Sequence, residues 1–177
     1  METMITRLNT PIIANELPAG TVVFMNEDKP IISKGFDTYI RCELDDWEIY
    51  AGYTFTIAER KYLKQNQFAP LTPKNRFATV ISKEVSDKFK LGVEASYTGP
   101  QFREDATKTP GFLFMAAMVG YNINSHLNLV LNCENLLDYR QSRYESLYTG
   151  STLDPDFKPL WGPIDGRVVN LSVRLQK

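Results

Sequence analysis

The sequence predicts an all-β protein, an antiparallel meander of about eight strands built like a transmembrane β-barrel. Three observations predict it. Segment after segment alternates apolar and polar residues with a period of two, as strands with two different faces do. Tight and long connections alternate strictly, as short periplasmic turns and long extracellular loops do in an outer-membrane barrel; a soluble β-sandwich has no such requirement. The strands are also long. Trp47–Tyr62 would span on the order of 50 Å at about 3.3 Å per residue, whereas a tilted crossing needs only about 9–11 residues.

Taken in order, the first strand is read at MITRLNTPII, Met4–Ile13. DTYIRCEL (Asp37–Leu44) alternates and is closed by Asp45-Asp46, a tight turn. In WEIYAGYTFTIAERKY, Trp47, Ile49, Ala51, Tyr53 and Phe55 share one side, and Glu48, Tyr50, Gly52, Thr54 and Thr56 the other. A long connection, Leu63–Lys74, leads to RFATVISKE (Arg76–Glu84). The short turn Ser86-Asp87-Lys88 follows, then FKLGVEASYTG, with Phe89, Leu91, Val93, Ala95 and Tyr97 in phase. Phe102–Pro110 is long again, and FLFMAAMVGYNI (Phe112–Ile123) is the next strand. After Asn124-Ser125 comes NLVLNCENLLDYRQSRY, Asn128–Tyr144. Leu129, Leu131 and Cys133 line its apolar side, and it is read as one strand whose polar, aromatic end stands above the membrane. The long segment Ser142–Pro163 separates it from the last strand, RVVNLSVRLQK. The apolar phase predicts a lipid-facing band of Ile49, Ala51, Leu91, Val93, Leu129, Leu131, Leu171 and Val173, with Trp47 and Phe89 at the periplasmic rim.

Composition narrows the function. Twenty Lys and Arg balance 21 Asp and Glu without clustering, so there is no electrostatic footprint for nucleic acid. The longest apolar run, Gly111–Tyr121, is shorter than the roughly 20 residues of a membrane helix, and Met1–Thr10 lacks the apolar core of a secretory signal. The mean hydropathy of -0.28 is compatible with a membrane barrel, because lumen-facing residues are polar. Cys42 and Cys133 fall in phase with apolar neighbours and read as small hydrophobes. The single histidine, His126, lies in a turn. Asp45 and Asp46 are turn residues, and Asp154 and Asp156 lack the further oxygen ligands of a calcium site. No nucleophile–base set, metal-ligand spacing or phosphate loop is present, so the chain is not expected to be an enzyme and no cofactor is expected.

The order of several motifs resembles the C-terminal part of a TonB-dependent outer-membrane receptor barrel. ENLLDYRQSRY carries Asn135, Leu136, Leu137 and Asp138 with Tyr139 and Tyr144. It is followed by a long loop and by Gly166-Arg167 opening the last strand. Upstream, Ser33–Thr56 resembles the family's strand–turn–strand, and Thr72–Glu84 its proline-containing strand start. The resemblance implies that residues 1–177 are the C-terminal part of a barrel of about 22 strands in the bacterial outer membrane, in contact with outer-membrane lipid. The plug domain and N-terminal barrel strands would lie outside this chain. It further implies uptake of a scarce nutrient, a ferric siderophore before haem or cobalamin, driven by the TonB system through the N-terminal region. The terminal Gln176-Lys177 departs from the terminal aromatic common in outer-membrane proteins. The loop aromatics and cations Phe102, Arg103, Tyr144, Tyr148 and Trp161 are the candidate ligand-binding residues. Packing of long loops against one another is the other reading of the same side chains. The alternative architecture is a complete eight-stranded barrel with a structural or adhesive role. In it the first strand would pair with the last, although Gly52, Thr54, Thr56, Gly92, Ser96 and Ser172 make a lumen poor in bulky interlocking side chains.

Overall fold

The computed structural model describes residues 1–17 and 20–175; the terminal Gln176-Lys177 lies outside them. Its strands are β1 (Glu2–Leu8), β2 (Ile12–Leu17), β3 (Thr21–Asn26), β4 (Ile31–Leu44), β5 (Trp47–Arg60) and β6 (Asn75–Glu84). Then follow β7 (Phe89–Thr98), β8 (Phe112–Asn122), β9 (Leu127–Glu134), β10 (Tyr148–Ser151), β11 (Asp154–Phe157) and β12 (Val168–Leu175). Eight form one sheet in the order β1-β4-β5-β6-β7-β8-β9-β12, and β2-β3 and β10-β11 are separate hairpins. Every pair is antiparallel. The expected meander is therefore present. Its sheet is open: β1 pairs with β4, β12 with β9, and both stand at the edges.

Antiparallel partners point to the same side of a sheet, so the register fixes the two faces. Ile49 faces Cys42 and Ile81, Ile81 faces Val93, and Ala117, Cys133 and Val169 continue the row. Leu91, Val119, Leu131 and Leu171 form the next. All eight residues of the expected lipid band share this face. Apart from Arg7, Lys34, Glu59 and Lys83, every position on it is uncharged. Phe89 packs against Tyr121 with tilted rings 4.6 Å apart, and the Lys83 ammonium lies 4.6 Å from the centre of Trp47. Both pairs border the short turns. Leu129 pairs with Tyr121 and so lies at this rim level, while Val93 stands further in.

The other face is largely polar. Arg41 bridges Glu43 and Glu48 at 2.7 and 2.9 Å, and Asn132 donates to Asn170 at 3.0 Å. Gly52, Thr54, Thr56, Gly92, Ser96 and Ser172 all fall here. A hollow of about 350 Å³ in this face is lined by Ser82, Gly92, Glu94, Phe114, Met118 and Asn132, among others.

Three strand boundaries differ from the sequence reading. Met4–Ile13 is two elements: Thr10 takes φ +46° and Pro11 cannot donate to a ladder, so β1 stops at Leu8 and Ile12 opens the β2-β3 hairpin. The strand read at Asp37 begins six residues earlier, at Ile31. Asn128–Tyr144 is not one strand. It ends at Glu134, where Asn135 turns to φ +48°, and a 3-10 turn follows at Gln141–Arg143. Alternation stops at Cys133, and the Asn135 side chain bonds the backbone locally, which competes with a ladder.

Candidate functional site

Three loops meet at the end of the sheet opposite the short turns: 61–74, 99–111 and 135–167. The middle loop joins the other two through four consecutive residues. Gln101 donates its Nε2 to the Trp161 carbonyl at 3.1 Å. Phe102 stacks on Phe68 at 4.7 Å, and its carbonyl accepts from Leu71 N–H at 2.9 Å. Arg103 pairs with Glu145 at 2.6 Å. Glu104 pairs with Arg60 at 2.8 Å. Odd and even residues thus reach opposite neighbours, the period of an extended backbone serving to staple two loops. Phe102 is itself bridged to Lys108.

The 135–167 loop is built around buried amides. Gln141, fully buried, accepts from the Trp161 and Gly162 N–H groups at 2.9 and 3.3 Å. Its Nε2 donates to the Pro159 carbonyl and to Glu145, at 3.1 and 3.2 Å. Asn135 donates to the Tyr139 and Asp165 carbonyls at 2.8 and 3.0 Å and accepts from Tyr139 N–H at 2.9 Å. Asp138 receives the Arg140 and Arg143 guanidiniums and the Arg167 N–H. Partial burial raises the Asp138 pKa, but the Arg140 bond and the Arg167 N–H outweigh it and hold the carboxyl below its ordinary value. Arg167 in turn donates to the Leu136 carbonyl at 2.6 Å. At Gly166 an added Cβ would stand 2.7 Å from the Asp138 carboxylate. The Asn-Leu-Leu-Asp and Gly-Arg motifs are therefore two halves of one loop closure.

The five candidate ligand residues divide. Tyr144 and Trp161 join Tyr139 and Phe112 in an aromatic cluster, with ring centres 5.0 Å apart for Tyr139–Tyr144, 6.1 Å for Tyr144–Trp161 and 5.3 Å for Phe112–Tyr139. Trp161 is 4% exposed, so it packs the loop; Tyr144, 58% exposed, offers a ring to the outside. Arg103 reaches the same cluster through Glu145, which also accepts from the Trp161 indole N–H. Phe102 and Arg103, with Asn66, Gln67, Phe68 and Ala106, line a cavity of about 200 Å³. That is below the roughly 300–1,000 Å³ of a drug-sized ligand pocket. Tyr148 stands apart, in the β10-β11 hairpin against Phe157.

Gln141 and Glu145 organise the loops together with Asn135 and were not singled out from the sequence. Asn135 and Asp138 stood in a motif, but their partners lie up to about 30 residues away and no local pattern marks them. Asp154 and Asp156 pair with Ser151 and Thr149 in a hairpin, and no group of three or more metal-ligating side chains occurs among the described residues.

The sequence model of a family described as TonB dependent receptor-like, beta-barrel, matches residues 4–136. The catecholate siderophore receptor Fiu of Escherichia coli K12 is 30% identical over 103 residues, covering 52% of this chain and 14% of its own. Among solved structures, the siderophore receptor PiuA of Acinetobacter baumannii superposes with a TM-score of 0.69 at 20% identity, over 98% of this chain and 25% of its own. The ferric enterobactin receptor PfeA of Pseudomonas aeruginosa does so with a TM-score of 0.72 at 12% identity, over 97% and 28%. The chain thus spans between about a seventh and a little over a quarter of the length of these proteins.

Proposed function

Because this chain belongs to the TonB-dependent receptor β-barrel family, a family of the bacterial outer membrane, we propose that it forms the C-terminal part of a receptor barrel taking up a ferric siderophore. In this reading the plug domain and the remaining barrel strands lie outside residues 1–177, and TonB acts through the plug. The observation that carries it is the family match over residues 4–136, joined to a sheet whose two edges, β1 and β12, are unpaired among the described residues. Open edges are costly in lipid, where every backbone group must find a partner. Further strands would supply those partners, which supports a larger barrel over a closed one of eight strands.

The substrate class rests on relatives named as siderophore receptors, and the loops offer compatible chemistry. Arg103 at a small cavity beside Phe102, and the open ring of Tyr144, can meet an anionic, aromatic chelate with charge and stacking. Trp161 and Glu145 hold these groups in place. The test is uptake of radiolabelled ferric siderophore by a receptor-deficient strain expressing the intact protein that carries this chain. Uptake that depends on TonB is expected. Failure with every ferric siderophore class, or uptake that persists without TonB, would refute the proposal.

A further inference from the structure

Loops 61–74 and 135–167 share no hydrogen bond, ion pair or ring contact with each other among the described residues. What joins them is the loop between, and it does so from both sides of one short extended run. Gln101 and Arg103 reach the 135–167 loop, at the Trp161 carbonyl and the Glu145 carboxylate. Phe102 and Glu104 reach the other way, to Phe68 and Leu71 and to Arg60, the last residue of β5. Arg60 is tied to the same neighbour: its N–H donates to the Gln67 carbonyl at 2.6 Å and its guanidinium to the Phe68 carbonyl at 3.4 Å.

The run is itself held as a narrow hairpin. Thr109 N–H donates to the Gln101 carbonyl at 2.9 Å, Gln101 N–H to the Thr109 hydroxyl at 3.1 Å, and Arg103 N–H to the Thr107 carbonyl at 2.9 Å. Gln101 and Thr109 are buried at its foot. Side chains of an extended chain alternate on one backbone, so the run cannot turn to release Arg103 without also swinging Phe102 and Glu104. Arg60 and Glu145 are the well-covered partners of the two ion pairs, and a covered charge left without its partner is costly. The run is therefore seated on both neighbours or on neither, and such a two-position element is what couples groups that do not touch.

We infer that residues 101–104 are a strap that couples the two outer loops, so that they open as one unit. The coupling needs no bound ligand. For the receptor reading proposed above, it means that a group held at the Phe102 cavity also steadies Tyr144 across the strap; that consequence rests on the receptor reading, and the coupling itself does not. The strap is tested on the intact protein in detergent, without ligand, by amide hydrogen exchange. Glu104→Gln weakens the pair with Arg60, yet is expected to speed exchange at the Trp161 and Gly162 amides about five-fold, the low end of typical coupling. Glu145→Gln, on the other side, should speed exchange at Ala69, whose N–H bonds the Ala58 carbonyl and not the strap, also about five-fold, because coupling is reciprocal. Ladder amides of β6 to β8 should exchange as before in both. Glu104 is largely exposed, so its replacement leaves no buried gap; if either variant does not fold, the other carries the test alone. Acceleration that stops at the strap, or an equal acceleration throughout the sheet, would overturn the inference.

Discussion

Gln141 satisfies the Trp161 and Gly162 amides and the Pro159 carbonyl while lying fully buried. Truncation to alanine leaves those groups unpaired, and each such buried group costs about 1–3 kcal/mol. Gln141→Ala is therefore expected to open the 135–167 loop without unfolding the sheet, read as amide exchange at Trp161 and Gly162 at least ten-fold faster; unchanged protection there would contradict the assignment. Asp138 gives the loop a dependence on acid. Its folded pKa is depressed, so its contribution is complete above the unfolded value of about 3.9 and is lost as pH falls through the lower folded value. With Trp161 left as the one tryptophan of the intact protein, its fluorescence should report loop opening in that range, below about pH 4. Arg140→Ala, which removes the leading cause of the depression, should move the transition to higher pH. A transition at the same pH in both proteins would exclude Asp138 as the group. Gly166→Ala should weaken the same closure, because its methyl would meet a carboxylate already held by two arginines.

At the scale of elements, strands with two distinct environments were legible and elements without them were not. Strands β5 to β8 and β12 showed their boundaries nearly to the residue, since lipid on one side and water on the other impose alternation over their full length. The β2-β3 hairpin escaped notice because both of its sides mix types: Ile12, Ala14 and Glu16 share one, Ile13, Asn15 and Leu17 the other. The end of β9 was misread for a related reason, as Asn135 and Asp138 turn the chain through positive φ without the glycine that would have announced it. The candidate aromatics were legible by type and setting. Their division into a packing tryptophan, an open tyrosine and a cavity-lining phenylalanine was not, because Trp161 is fixed by Glu145, Gln141 and Gln101 across 16, 20 and 60 residues of sequence. The assigned faces make a depth prediction. Val93→Arg, well inside the band, should cost about 2–4 kcal/mol of folding into lipid, and Leu129→Arg, at the rim, about 0–1. Thr54→Arg on the inward face should be tolerated. The measurement is the fraction folded in bilayers of fixed thickness; equal losses at Val93 and Thr54 would reverse the two faces.

For the whole molecule, we propose that the eight-stranded sheet is an arc of a wider barrel, lipid on its largely apolar face and a plugged lumen on its polar one. The polar side, the apolar outer band and the loops stapled at one end are arranged as that architecture requires, and the edges of β1 and β12, unpaired among the described residues, are where further strands would attach. Proximity cross-linking of paired cysteines in intact outer membranes tests this most directly, in the intact protein with Cys42, Cys133 and every other native cysteine replaced by alanine. Cysteines at Ile5 and Lys34, which face each other across β1 and β4, should cross-link efficiently with a short reagent. Cysteines scanned along Thr3–Arg7 against Val169–Val173 should not cross-link within one molecule. An intramolecular cross-link between β1 and β12, at the mass of a single chain, would close the sheet on itself and contradict the account.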